Sequence, residues 1–165
     1  MDVLGRLRLD VPVAQAGMGG GLAGPELAVA VADAGGLGTL GLTAPDRLRD
    51  GIRRVRAEAP GRAVAVNLLM PFVRRPHVRV CVEERIDVAV VAFGGDRALV
   101  RELRDAGVFV FTMVGTADQV RRALHWGVDA LIAQGAEAGG HLVGESPAAA
   151  FLPKARDLAG GRPVF

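Results

Sequence analysis

The chain has 165 residues, half of them hydrophobic and 23 of them glycine, and its 20 basic and 18 acidic residues leave a formal net charge of +2. That length suffices for one ordinary domain with a real core, and the apolar content excludes a disordered or charge-dominated chain. The basic residues, almost all arginine, are scattered among acids, aromatics are scarce and tyrosine is absent, which argues against nucleic acid or a membrane as partner.

Val11–Ala16 reads as a short buried strand, followed by the glycine-rich run Gly17–Gly24. Pro25 opens a helix that stops at Gly35-Gly36, since proline is tolerated at a first helical position and glycine suits a helix end. Leu37–Leu42 is the second strand. Pro45–Glu58 is the second helix, with Leu48, Ile52 and Val55 at helical spacing. Ala63–Met70 is the third strand, and the valine-rich His77–Arg85 the third helix. Val88–Phe93 is a strand, and Asp96–Ala106 a helix ending at Gly107. Val108–Val114 is the fifth strand, after which Thr116 caps a helix ending at Gly127. Ala130–Gln134 is the sixth strand, Pro147–Ala159 the sixth helix, and Pro163-Val164-Phe165 the opening of a seventh strand.

Strict alternation of almost wholly apolar strands with helices implies a parallel sheet covered on both faces. Two architectures satisfy it: an open doubly wound sheet or a closed eight-stranded barrel. A barrel of this kind takes about 250 residues, and the chain stops as an apolar strand begins. The expectation is an α/β fold, a (β/α)8 TIM barrel truncated after six units, with residues 1–165 forming the N-terminal portion of one domain and strands seven and eight missing. The single cysteine, Cys81, precludes an intrachain disulfide and fits a reducing cytoplasm. No signal peptide is apparent, and no apolar run approaches the roughly 18 residues of a membrane span.

In parallel α/β folds ligands sit at the carboxyl ends of the strands. After the first strand, Gly19, Gly21 and Gly24 match GxGxxG literally, but the second strand ends Leu40-Gly41-Leu42-Thr43, without the acid that a dinucleotide site requires. The run reads otherwise as a flexible turn, or as backbone laid against a planar ring. Asn67 interrupts the apolar third strand. Its amide is either bonded to neighbouring backbone or available to a heterocycle edge or a phosphate. After the sixth strand stand Gln134-Gly135-Ala136-Glu137-Ala138-Gly139-Gly140-His141, where an amide, an acid, two glycines and an imidazole converge within eight residues. This is either an ordinary loop with a solvent-facing histidine or a site in which glycines admit a cofactor and His141 acts as acid or base. His77 reads as a solvated helix-face residue, His125 as a cation suited to a helix carboxyl end, and Cys81 as a small buried side chain. No Cys/His spacing suggests a metal.

Four blocks, Val13–Gly20, Ala34–Gly41, Val66-Asn67-Leu68 and Gln134–His141, together resemble the nitronate monooxygenases, once called 2-nitropropane dioxygenases. The resemblance implies an FMN-dependent (β/α)8 barrel that oxidises alkyl nitronates with molecular oxygen, giving carbonyl compounds and nitrite. It implies FMN contacts at Asn67, Gln134, Gly139 and Gly140, and strand-one backbone near the flavin at Ala16, Gly17 and Met18. It implies His141 as the catalytic base. Two departures stand out. The family's phosphate site is expected after strands seven and eight, and Met113 stands where many members carry a lysine or glutamine facing the FMN. An FMN-dependent enoyl-thioester reductase using NAD(P)H shares the block Glu137–His141, and its counterpart of Gln134 is a glutamate. A third expectation is a non-catalytic piece of such an enzyme, binding FMN weakly or not at all.

Overall fold

The computed structural model describes residues 3–165. In chain order its elements are α1 (Val3–Leu7), α2 (Pro25–Asp33), β1 (Gly38–Leu40), α3 (Pro45–Glu58), β2 (Val64–Leu69), α4 (Arg75–Glu83), β3 (Val88–Ala92), α5 (Arg97–Asp105), β4 (Phe109–Val114), α6 (Ala117–Trp126), β5 (Ala130–Ala133) and α7 (Ala148–Leu158). The five strands form one parallel sheet in the order β1-β2-β3-β4-β5. Two further segments extend it by single parallel bridges, Ala14 to Leu37 beside β1 and Val164 to Leu131 beside β5.

Alternation along the strands divides the apolar residues between two faces. Val64, Val66, Leu68, Ala89, Val91, Val110, Val114 and Leu131 pack with Leu48, Ile52, Val55, Val100, Leu103 and Val120 of the helices. Ala65, Val88, Val90, Phe109, Phe111 and Ala130 form a second cluster on the other face, joined by Leu7 and Leu37. The crossover helices thus all contribute to one face, and the strands follow chain order without reversal. A doubly wound sheet reverses its strand order and carries helices on both faces. The arrangement here is the arc of a (β/α) barrel, with the second cluster as its interior.

Local chemistry explains the elements. Pro45 stands at the start of α3, whose Leu48, Ile52 and Val55 are buried together. Asp96 caps α5 by accepting from Leu99 N, and Thr116 caps α6 by accepting from Gln119 N. Gly127 closes α6 in the left-handed conformation, φ 89°, where glycine carries no Cβ penalty. The steps Ile86-Asp87-Val88 and Val128-Asp129-Ala130 repeat one device at the amino ends of the strands. Asp87 accepts from Val64 N and Asp129 from Val110 N, each at 2.9 Å, so each carboxylate ties its strand to the preceding one.

Three elements differ from the sequence-based expectation. Val11–Ala16 forms one bridge rather than a strand. Pro12 has no N–H to give a ladder, and beyond Gln15 the side chain of Gln15 replaces backbone pairing. Its Oε1 accepts from Thr39 N and its Nε2 donates to Thr39 O, both at 3.1 Å, and also to Ala16 O. The third helix starts at Arg75, two residues earlier than expected. Helix α1 was not expected; it brings Leu7 into the interior cluster and Arg6 over the Phe109 ring, 4.2 Å from its centroid. Among the described residues no helix is long and apolar enough to cross a membrane.

Candidate active site at the carboxyl ends of the strands

Asn67, Val90 and Phe111 are register partners across β2, β3 and β4, so their side chains share the interior face at one level. Thr39 and Met113 lie on the same face, beside a cavity of about 430 Å³ that Ala16 and Gly17 close from the first segment. Phe165 stacks on Phe111, ring centroids 5.2 Å apart. Among the described residues, none lining this cavity has a charged side chain.

Asn67 is 5% exposed, and its Nδ2 donates to Gly17 O at 2.8 Å. Its Oδ1 is buried without a partner. One end of the amide is thus bonded to backbone, and the other has no partner. Gly17 is required by this contact. A Cβ there would stand 2.2 Å from Asn67 Cβ, well inside van der Waals distance. The turn is compact on its other side too, where a Cβ on Gly41 would stand 2.0 Å from Met18 O. Met18 itself is 39% exposed and lines a separate, smaller cavity near the start of α2.

The residues after β5 form a second group, on an exposed loop at the same end of the sheet. The Gln134 amide is spent on the loop itself: Nε2 donates to His141 O at 3.0 Å, and Oε1 accepts from Val143 N at 2.8 Å. Glu137 accepts from Ala148 N through both carboxylate oxygens, at 3.0 and 3.1 Å, placing negative charge at the start of α7, where it suits the helix dipole. Gly139 and Gly140 are exposed, with open space where a Cβ would stand. The His141 ring is exposed and meets the Phe93 ring edge-on, centroids 6.0 Å apart. Phe93 directly follows β3 and holds φ 60°, unusual for a non-glycine residue. The structure thus joins Ala16, Gly17 and Asn67 at the cavity, and holds Gln134, Gly139, Gly140 and His141 on the neighbouring loop.

Gln119 is a residue that sequence reasoning missed. Its Oε1 accepts from Gly115 N at 2.6 Å and Thr116 N at 3.2 Å, while its Nε2 donates to Val143 O at 2.8 Å. It couples the start of α6 to the histidine loop. The spacing Thr116-x-x-Gln119 is that of a capping box and was a readable signal for the first of these roles. His77 is also corrected: it is 7% exposed, not solvated. Because α4 begins early, His77 falls where its Nδ1 accepts from Arg74 N at 2.9 Å. That leaves Nε2, 3.1 Å from Thr43 O, as the protonated nitrogen of a neutral ring. Cys81 is fully buried, and burial pushes its thiol up to about 12. No group of three or more His, Cys, Asp and Glu among the described residues could hold a metal.

The family model for nitronate monooxygenase matches residues 3–74 and 58–158. Over 93% of its length the chain is 34% identical to a 5-hydroxy-7a-methyl-1-oxo-octahydro-1H-indene-4-carboxyl-CoA dehydrogenase of Mycobacterium tuberculosis, spanning 43% of that protein. It is 27% identical to a probable nitronate monooxygenase of Staphylococcus aureus, with 82% of this chain and 48% of that protein covered. Among solved structures, FabK from Thermotoga maritima superposes with TM-score 0.88 at 32% identity, over 98% of this chain and 52% of that one. Nitroalkane oxidase from Streptomyces ansochromogenes superposes with TM-score 0.86 at 28% identity, over 94% and 58%. The chain spans about half the length of the curated relatives it matches. With the family model covering nearly the whole chain and the barrel arc matching at high TM-score, this chain belongs to the nitronate monooxygenase family.

Proposed function

We propose that the protein is an FMN-dependent oxidoreductase that oxidises alkyl nitronates with molecular oxygen to carbonyl compounds and nitrite. The observation that carries the reading is the unpartnered Oδ1 of Asn67, which lines a cavity with no charged side chain among its described residues. A buried oxygen left without a donor costs about 1–3 kcal/mol. A planar heterocycle with an N–H at its edge would remove that cost, so the residues present fit the isoalloxazine ring.

When bound, FMN supplies the electron-transfer chemistry, and the protein supplies position and surroundings. Asn67 would accept the ring N–H while Nδ2 stays on Gly17 O, and Ala16 and Gly17 would flank the ring from the first segment. Val90, Phe111 and Ile132 give the cavity apolar walls. Gln134 holds the loop closed on itself, and Gly139 and Gly140 keep its surface free of side chains where the cofactor approaches. His141 takes the proton from the carbon beside the nitro group of a neutral nitroalkane and, once protonated, holds the anionic nitronate. The partners on this reading are small molecules: nitronate and oxygen.

A second reading, reduction of an enoyl thioester by NAD(P)H, is favoured by one observation. Identity is higher to the carboxyl-CoA dehydrogenase and to FabK than to the nitronate monooxygenases. The two readings separate in one assay on the FMN-loaded protein. Oxygen uptake with nitrite release on propionate 3-nitronate or a nitroalkane is expected; a yellow protein that consumes no oxygen on either would sink the first reading. Anaerobic bleaching by NAD(P)H without nitronate would favour the second.

A further inference from the structure

A second cavity, of about 370 Å³, lies beyond the end of β4. Met113 borders both this cavity and the one at the barrel mouth. Phe93, which touches the His141 ring, forms another of its walls. Trp126 and Leu142 complete an apolar surround.

Two polar features stand out against those walls. Thr112 lines the cavity at 4% exposure, and its Oγ1 is buried without any hydrogen-bond partner. A hydroxyl in that state is one that a ligand or ordered water would satisfy. Arg122 is exposed, lines the same cavity and has no ion-pair partner among the described residues. The loop at Val143, a further lining residue, is pinned by Gln119, so the cavity is formed before anything enters it.

We propose that this cavity is a second binding site for an elongated organic anion. The apolar body lies against Trp126 and Leu142, the Thr112 hydroxyl donates to a ligand oxygen, and the charged end pairs with Arg122.

Trp126 is the only tryptophan in the chain; it borders this cavity and also one lined by Arg97, Arg101 and Arg104, so loss of the shift in Arg122→Gln is what assigns it here. The test titrates the full chain, without flavin, with hexanoate, hexanol and inorganic phosphate. Hexanoate should shift the emission saturably, with hexanol and phosphate at least about tenfold weaker, because an apolar body and a charge are both needed. Arg122→Gln should weaken hexanoate about tenfold, the scale of one charge-assisted hydrogen bond. Thr112→Val should raise the melting temperature by removing an unsatisfied hydroxyl, yet weaken hexanoate. No saturable shift would overturn the site. Equal binding of hexanol and hexanoate, or wild-type affinity in Arg122→Gln, would overturn its preference for anions. Since neither flavin nor turnover is involved, these failures are distinguishable from failure of the nitronate assay.

Discussion

Replacing Gly17 by alanine isolates the contact on which the cavity depends. The new Cβ would stand 2.2 Å from Asn67 Cβ and 2.9 Å from Asn67 Cγ, so either the 16–18 turn or the end of β2 must move. Overpacking of this kind costs about 1–3 kcal/mol. The movement also strains or breaks the 2.8 Å bond from Asn67 Nδ2 to Gly17 O, worth about 1 kcal/mol. A total of about 3 kcal/mol corresponds to a fall in melting temperature of roughly 6–12 °C for a chain of this size. Urea unfolding with a constant slope, followed by circular dichroism, would measure it. The nearest obstructing atom is Asn67 Cβ, not the amide, so the penalty should persist in an Asn67→Ala background and shrink in an Asn67→Gly background. An unchanged melting temperature in Gly17→Ala, or relief by Asn67→Ala as full as by Asn67→Gly, would refute the reasoning.

Gln119→Glu keeps acceptors for Gly115 N and Thr116 N but replaces the donor to Val143 O with a second acceptor. Helix α6 should stay as stable as before, while amide exchange over 139–146 rises about tenfold; equal exchange in the two proteins would count against a loop-holding role. Arg53 and then Arg49 hold the Glu84 carboxyl below its ordinary value. A depressed carboxyl contributes stability that is complete above the unfolded value of about 4.3 and is lost as pH falls through the lower folded value. Glu84→Gln should therefore lose stability at pH 7 and flatten the acid limb below about pH 4.3, whereas parallel acid curves for the two proteins would contradict the pairing. Burial and the raised thiol of Cys81 predict no reaction with a disulfide reagent at pH 8 in the native state and one equivalent after unfolding; fast native labelling would contradict its burial.

The fold was legible where local chemistry and packing agree. Helix α3 lies between Pro45 and Glu58 as read from its proline and the spacing of Leu48, Ile52 and Val55, and Asp96 and Thr116 mark the helix starts they suggest. Chain order and one-sided helices, which separate a barrel from a doubly wound sheet, depend on tertiary pairing that no local pattern states. The first strand failed because Gln15 uses its side chain for bonds that backbone usually makes. His77 was misplaced because a two-residue shift in helix start turns a surface position into a capping one. Asn67 was legible as a polar residue in an apolar strand, although only the structure divides its amide into a bonded nitrogen and a free oxygen. Gln134 and His141 were legible as a motif. Gln134 bonds to the backbone of its own loop, an arrangement that residue types alone do not dictate.

On the proposed function, the barrel mouth holds a flavin ring through Asn67. No described residue lining the cavity has a charged side chain, so on this reading the ring, rather than the phosphate, carries the binding. Titration of the full chain with riboflavin and with FMN, followed by quenching of flavin fluorescence, tests this most directly. Both should bind weakly, with equal affinity and about one per chain, and Asn67→Ala should weaken both about tenfold, the equivalent of one buried hydrogen bond. Unaltered binding in Asn67→Ala, or no saturable binding of either flavin, would contradict the claim.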